Sequence, residues 1–258
     1  MNSIESLFSL KGKTALITGG GTGLGRDFAR TLAAAGAKVI LAARRLEKLE
    51  QTVTELAAAG FDASALTLDV TDRTSVDALF ARCAQIGVID ILVNNAGIIG
   101  TPSLLDVSEE EWHLIINTNL SGSWRVARGF VTQLSAAKRG GRIINISSLL
   151  AVSAQKGTAP YAASKAALLQ LTRSMAIEWA RYGINVNAIM PGYIATDIAE
   201  DFLQSDVAVA LQKRIPLRRL GDPADLRGAM LLLAAPAGAY MTGSVVTVDG
   251  GHSMPQPL

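Results

Sequence analysis

Tyr161 and Lys165 stand four residues apart in the run "PYAASK", Pro160 to Lys165. On a helix that spacing sets both side chains on one face. A phenol that normally keeps its proton then lies beside an ammonium. Such a pair suits proton transfer, because an alcohol that loses hydride must also lose a proton, and a phenol is a poor base near neutral pH unless its anion is stabilised. Lys165 would supply that stabilisation; with the positive charge of an oxidised hydride acceptor added, the Tyr161 pKa should fall towards the working pH, and in reverse the same tyrosine would protonate a nascent alkoxide. Ser148, thirteen residues upstream in "NISSLL", carries a hydroxyl that could hold a substrate oxygen. Its neighbour Ser147 could be the polar contact instead, and Tyr161 alone could be an ordinary aromatic at a helix start.

Groups so separated meet only if the fold brings strand ends and helix starts together. Short β-branched runs recur at Thr14–Thr18, Lys38–Ala42, Ser64–Leu68, Asp90–Asn94, Arg142–Ser147, Ile184–Met190 and Ser244–Val248. Several are apolar at consecutive positions, as strands covered on both faces are. Helical patterns lie between them, such as "RDFARTLAAAG" closed by Gly36 and "EKLEQTVTELAAAG" closed by Gly60. "SEEEW", Ser108 to Trp112, reads as a capped helix start rather than a carboxylate site. The rhythm is βαβ throughout. It predicts an α/β fold: one doubly wound Rossmann domain over residues 1–258, with a mainly parallel seven-stranded sheet and helices on both faces. In such a sheet ligands bind at the carboxyl ends of the strands, where Ser148 and the start of the Tyr161 helix can meet.

Directly after the first strand comes "TGGGTGLG", Thr18 to Gly25, followed by a helix expected to open at Arg26. Gly19, Gly23 and Gly25 let the backbone approach a ligand and present N–H groups at a helix N-terminus, where a pyrophosphate binds. A P-loop would need lysine and then serine or threonine after Gly25, where Arg26 and Asp27 stand. The strict G-x-G-x-x-G spacing also fails, because Leu24 occupies its last glycine position. The second strand ends in "LAARR": Ala43 offers no carboxylate to a ribose hydroxyl, and Arg44 offers a fork suited to a 2′-phosphate. NADP(H) is therefore favoured, with NAD(H) as the alternative. Arg44 and Arg45 could instead be solvated charges at a helix start.

Taken in order, "TGGGTGLG", "LDV" with Asp69, "NNAG" from Asn94 to Gly97, Asn119 in "NTNL", Ser148, "YAASK" and "PGYIAT" from Pro191 to Thr196 resemble the short-chain dehydrogenases/reductases in their form of about 250 residues. The resemblance runs from about Leu10 to Gly251. It implies a catalytic tetrad of Asn119, Ser148, Tyr161 and Lys165, with Asn119 helping to hold a water that relays protons to Lys165. It implies cofactor contacts from Gly19, Thr22, Gly23, Leu24 and Gly25, from Arg44, and from Asp69 and Val70 near the adenine. Asn95, Ala96 and Gly97 are implied beside the adenosine ribose, and Tyr161 and Lys165 at the nicotinamide ribose. Pro191, Gly192, Ile194 and Thr196 are implied along the nicotinamide half. This sequence departs from the family's pattern at Thr22, where a basic residue before Gly23 is missing, so only Arg44 argues for the 2′-phosphate. The resemblance also implies a homotetramer, built in part through "TGSVVTVDGG", and a substrate lid over about 193–216. In that lid Ile198, Phe202 and Leu203 suggest a partly apolar carbonyl or secondary alcohol substrate, and Lys213 and Arg214 read as a solvated helix end. A non-catalytic nicotinamide-binding partner or sensor on the same fold, or a subunit needed only for assembly, stays open beside the enzyme.

Composition excludes other classes. Hydrophobic residues make up 49% of the 258 and charged ones 18%, enough apolar material for a substantial core. Cys83 is the single cysteine and His113 and His252 the only histidines, which leaves no pattern for a metal site or a histidine-based triad. A net charge of +2 without a long basic run gives no support to nucleic-acid binding. The most apolar tract, Gly228 to Met241, is broken by proline and glycine and falls short of the ~20 residues that cross a bilayer. No membrane span and no secretory signal are expected, and the protein is read as cytoplasmic.

Overall fold

A computed structural model describes residues 3–100, 103–196 and 206–254. All seven β-rich runs form strands within one residue of their expected bounds: β1 Thr14–Thr18, β2 Lys38–Ala43, β3 Ala63–Thr67, β4 Ile91–Asn94, β5 Gly141–Ile146, β6 Ile184–Pro191 and β7 Val245–Val248. They form one sheet in the order β3-β2-β1-β4-β5-β6-β7, and every pairing is parallel. The order reverses between β1 and β4, so a crevice opens at the carboxyl ends of those two strands.

Consecutive apolar residues are used in both directions. Ile91 and Val93 of β4 enter one core, and Leu92 between them enters the other. On the first face lie α2 (Gly23–Ala34), α3 (Leu46–Ala58) and α9 (Arg227–Ala234), which contribute Phe28, Leu32, Leu49, Leu56, Met230 and Leu233. The second face is covered by α4 (Arg73–Ile86), α6 (Ser123–Ala136) and α7 (Ala159–Trp179), with Leu79, Val126, Phe130, Leu134 and Met175 inside. Each such side chain, fully buried, contributes about 1.5–3 kcal/mol. Among the described residues the remaining α-helices are α1 (Ile4–Phe8), α5 (Glu109–Ile116) and α8 (Asp206–Arg214). Among the described residues, no helix is long and apolar enough to cross a membrane.

Three local details position the site. Helix α2 opens at Gly23, three residues before the expected Arg26. Thr22 is extended and Gly23 takes a φ of 53°, so the chain turns from strand to helix inside the glycine motif itself. The α5 start is as expected, with the Ser108 hydroxyl accepting from Glu111 N–H at 3.1 Å. Between α5 and α6 the chain makes a π-helical turn, Asn117–Gly122, which carries Asn119.

Candidate active site

The carboxyl ends of β1, β2, β4, β5 and β6 border one cleft of about 700 Å³. Every sequence-predicted site residue lines it except Gly25 and Asn119, which lie just beneath its wall.

At the glycine loop, position is set by crowding. A Cβ on Gly25 would stand 2.2 Å from the Gly19 carbonyl oxygen and 2.7 Å from Asn95 Nδ2. The Asn95 amide donates to the carbonyls of Thr18 (3.0 Å) and Gly19 (3.2 Å), and the Thr18 hydroxyl accepts from the backbone N–H of Asn95 and of Ala96. The side chain expected beside a ribose is thus spent on clasping the glycine loop to the end of β4, while Ala96 and Gly97 continue the cleft wall. Asn94 turns the other way, into a buried network, donating to Asn145 Oδ1 and the Ser123 carbonyl. Thr22 gives α2 no side-chain cap, so the first N–H groups of the helix are left to an anion. The crowded glycine cradle and this uncapped helix end fit a pyrophosphate.

Beyond the loop, Arg44 is exposed at the end of β2 and Asp69 and Val70 follow β3. Burial works to raise the Asp69 pKa, but hydrogen bonds from the Thr71 hydroxyl and N–H, with the Arg44 charge behind them, outweigh it and hold the carboxyl below its ordinary value.

At the other end the side chains of β5 and α7 converge. Ser148 closes β5 and caps a short 3-10 turn, its hydroxyl accepting from Leu150 N–H at 3.2 Å. Ser147 points inward, donating to the Lys165 carbonyl at 3.1 Å, which leaves Ser148 as the serine whose hydroxyl reaches Tyr161. Lys165 is buried, with Nζ donating to the Ile146 carbonyl at 2.8 Å and lying 5.6 Å from the centre of the Tyr161 ring. Burial pushes its pKa down to about 8.

The fall expected of the Tyr161 pKa draws on the charge of the oxidised nicotinamide as well as on Lys165, and the protein's own groups push the other way. Burial pushes the phenol up, a hydrogen bond with Ser148 only partly opposes it, and Tyr193 raises it further. The lysine stands by the ring and commits a proton to a backbone carbonyl, so the protein's own groups keep the phenol protonated.

Asn119 is anchored through its side-chain amide. Its Oδ1 accepts from Ile98 N–H at 2.8 Å, and its Nδ2 donates to the Ile98 carbonyl (2.9 Å) and to Ser164 Oγ (3.0 Å). Both ends of the amide hold protein groups. A Cβ on Gly97 would lie 3.3 Å from Asn119 Oδ1 and 3.4 Å from Lys165 Nζ, a tight fit against both.

Pro191 ends β6, Gly192 N–H donates to the Val248 carbonyl, and Ile194 pairs with Gly221 outside the sheet. Of the expected lid, Ile198, Phe202 and Leu203 lie outside the described residues. Lys213 and Arg214 end α8 and are exposed, as expected, and the Arg214 charge is felt by Tyr193 and His252. Two site neighbours have no signal in the motifs, Lys48 and Thr71 on the cleft wall; Tyr193, inside the Pro191–Thr196 motif, donates to Gln155 and packs at a tilt against His252 with ring centres 5.4 Å apart.

The family model described as enoyl-(acyl carrier protein) reductase matches residues 19–253. Oxidoreductase UcpA of Salmonella typhimurium is 40% identical over 258 residues, covering 96% of this chain and 97% of that protein. The 3-oxoacyl-(acyl-carrier-protein) reductase FabG of Escherichia coli is 40% identical, covering 95% and 99%. A gluconate 5-dehydrogenase from Burkholderia cenocepacia, solved in complex with NADP and tartrate, is 37% identical with a TM-score of 0.93, covering 98% of this chain and all of that one.

Proposed function

We propose, for a chain that belongs to the short-chain dehydrogenase/reductase family, that it moves hydride between NADP(H) and a carbonyl or secondary alcohol, with Tyr161 as general acid and base. The observation that best supports this is convergence: Ser148, Tyr161 and Lys165 border the same cleft as the glycine loop and Arg44. When bound, NADP(H) supplies the hydride donor or acceptor.

The chain's own residues do the rest. In this reading the loop from Gly19 to Gly25 and the start of α2 hold the pyrophosphate, and Arg44 meets the 2′-phosphate. Asp69 and Val70 border the adenine, Ala96 and Gly97 the adenosine ribose, and Pro191, Gly192, Ile194 and Thr196 the nicotinamide half. Ser148 holds the substrate oxygen by a hydrogen bond while Tyr161 hands it a proton, and Lys165 lowers the cost of the phenolate left behind. Asn119 acts as a positioning residue, tying the Ile98 backbone to Ser164 beside Lys165. Leu114, Trp124 and Ile177 leave apolar surface exposed on α5, α6 and α7, as the expected homotetramer needs; a lone monomer in sedimentation removes that part of the reading.

The test is a screen of purified protein with NADPH and NADH in parallel, read by nicotinamide absorbance. The similarity to gluconate 5-dehydrogenases and to a 3-oxoacyl reductase chooses the first compounds: gluconate with the oxidised cofactors, 3-oxoacyl thioesters and small ketones with the reduced ones. Turnover with NADPH is expected. Cofactor binding without turnover of any compound would replace the enzyme by the cofactor-binding sensor.

A further inference from the structure

The NADP(H) reading leaves one charge unassigned, and the inference drawn from it here rests on that reading. Three cations face one end of the cleft: Arg44 and Arg45 after β2, and Lys48 in the first turn of α3. A phosphate monoester carries close to two negative charges at neutral pH, so a single guanidinium neutralises only part of it. The position before Gly23, where another basic group could have stood, holds Thr22.

Lys48 is held at its base against the glycine loop. Its carbonyl carbon and its Cβ each lie 3.2 Å from the point where a Cβ on Gly21 would be, so the first turn of α3 sits directly against the glycine loop. The Thr52 hydroxyl bridges the same contact, near both the Gly21 carbonyl (3.3 Å) and the Lys48 carbonyl (3.2 Å). Lys48 as a residue is half-buried, and its Nζ makes an exposed hydrogen bond, donating to Gln51 Oε1 at 3.3 Å. Arg45, by contrast, is the exposed N-cap residue and makes no side-chain cap. A cation in the first turn of a helix opposes the helix dipole, so the stability of α3 gives no reason for a lysine at this position.

We propose that Lys48 is a specificity-determining residue for the 2′-phosphate of the cofactor. It supplies, together with Arg44, the second positive charge that Thr22 does not. The glycine at position 21 is what admits it: the same loop that receives the pyrophosphate seats the helix that delivers the ammonium.

Binding alone tests this. NADPH and NADH are titrated by nicotinamide fluorescence into the wild type and into Lys48→Gln, Lys48→Arg, Arg44→Gln and Arg45→Gln, at low and high salt, with melting curves taken in the absence of cofactor. Lys48→Gln is expected to weaken NADPH about tenfold, as loss of a charge-assisted contact does, and to leave NADH within about twofold. Its NADPH affinity should also depend less on salt, Lys48→Arg should retain most of the affinity, and the melting temperature should hold. The inference is overturned if Lys48→Gln weakens both cofactors alike, or weakens NADPH less than Arg45→Gln does. The cofactor reading fails on a separate result, a wild type that binds NADPH no more tightly than NADH, and that result takes the Lys48 inference with it.

Discussion

At the glycine loop the atoms are held by shape. The loop works because a Cβ at Gly25 would meet a backbone oxygen at 2.2 Å, and because Asn95 and Thr18 tie two strand ends together through neutral hydrogen bonds. At the other end of the cleft the same protein holds two titratable groups away from their ordinary values, Lys165 down to about 8 and Tyr161 up, both by burial. The first end is therefore expected to set affinity without responding to pH, and the second to set rate and pH dependence with little effect on affinity. That division separates the roles more sharply than motif identity does, and it can be broken.

The largest effect is expected at the reacting end. Tyr161→Phe removes the exchangeable proton and leaves the ring, so the rate should fall about a thousandfold while the NADPH dissociation constant stays within about threefold. Stopped-flow turnover beside a fluorescence titration checks both halves. An equal loss in the two would mean that the phenol holds the cofactor rather than moving a proton. Next in size is Gly25→Ala at the opposite end. Its methyl group cannot fit against the Gly19 carbonyl without opening the loop, so NADPH affinity should drop about a hundredfold, with an unchanged pH profile at saturating cofactor. An altered pH profile in that variant would show that the two ends are coupled.

Much of this was legible in the sequence because the signals are local. Seven apolar runs of strand length, the glycine motif after the first of them and the four-residue spacing from Tyr161 to Lys165 each announce themselves within a few residues. What stayed hidden depends on contacts between distant segments. Lys48 joins the cleft only because α3 packs on Gly21, 27 positions earlier in the numbering of the chain. The Asn95 amide was available to a ribose until the fold brought Gly19 beneath it. The direction in which the protein's own groups move the Tyr161 pKa turns on burial, which the spacing of a tyrosine and a lysine does not report.

The smallest effect isolates Lys165, and its sign follows from linkage. The folded protein releases the lysine proton near pH 8, whereas the unfolded chain keeps it to the ordinary lysine value of 10.5. Below pH 8 both states are protonated and the fold bears the full cost of a buried ammonium. Between those two values the unfolded state binds more protons, so stability rises with pH. Relative to Lys165→Met, the wild type should gain about 2 kcal/mol in denaturant unfolding between pH 7.5 and 9.5. Over the same interval the ammonium that supports the phenolate is lost, so kcat/KM for carbonyl reduction should fall about tenfold per pH unit above 8. Stability and activity then move in opposite directions through one titration, a pattern that no substitution at the glycine loop should reproduce. A wild type whose stability relative to Lys165→Met is flat across that window would mean that the buried amine does not titrate there, and the reacting end would lose the electrostatic character that sets it apart.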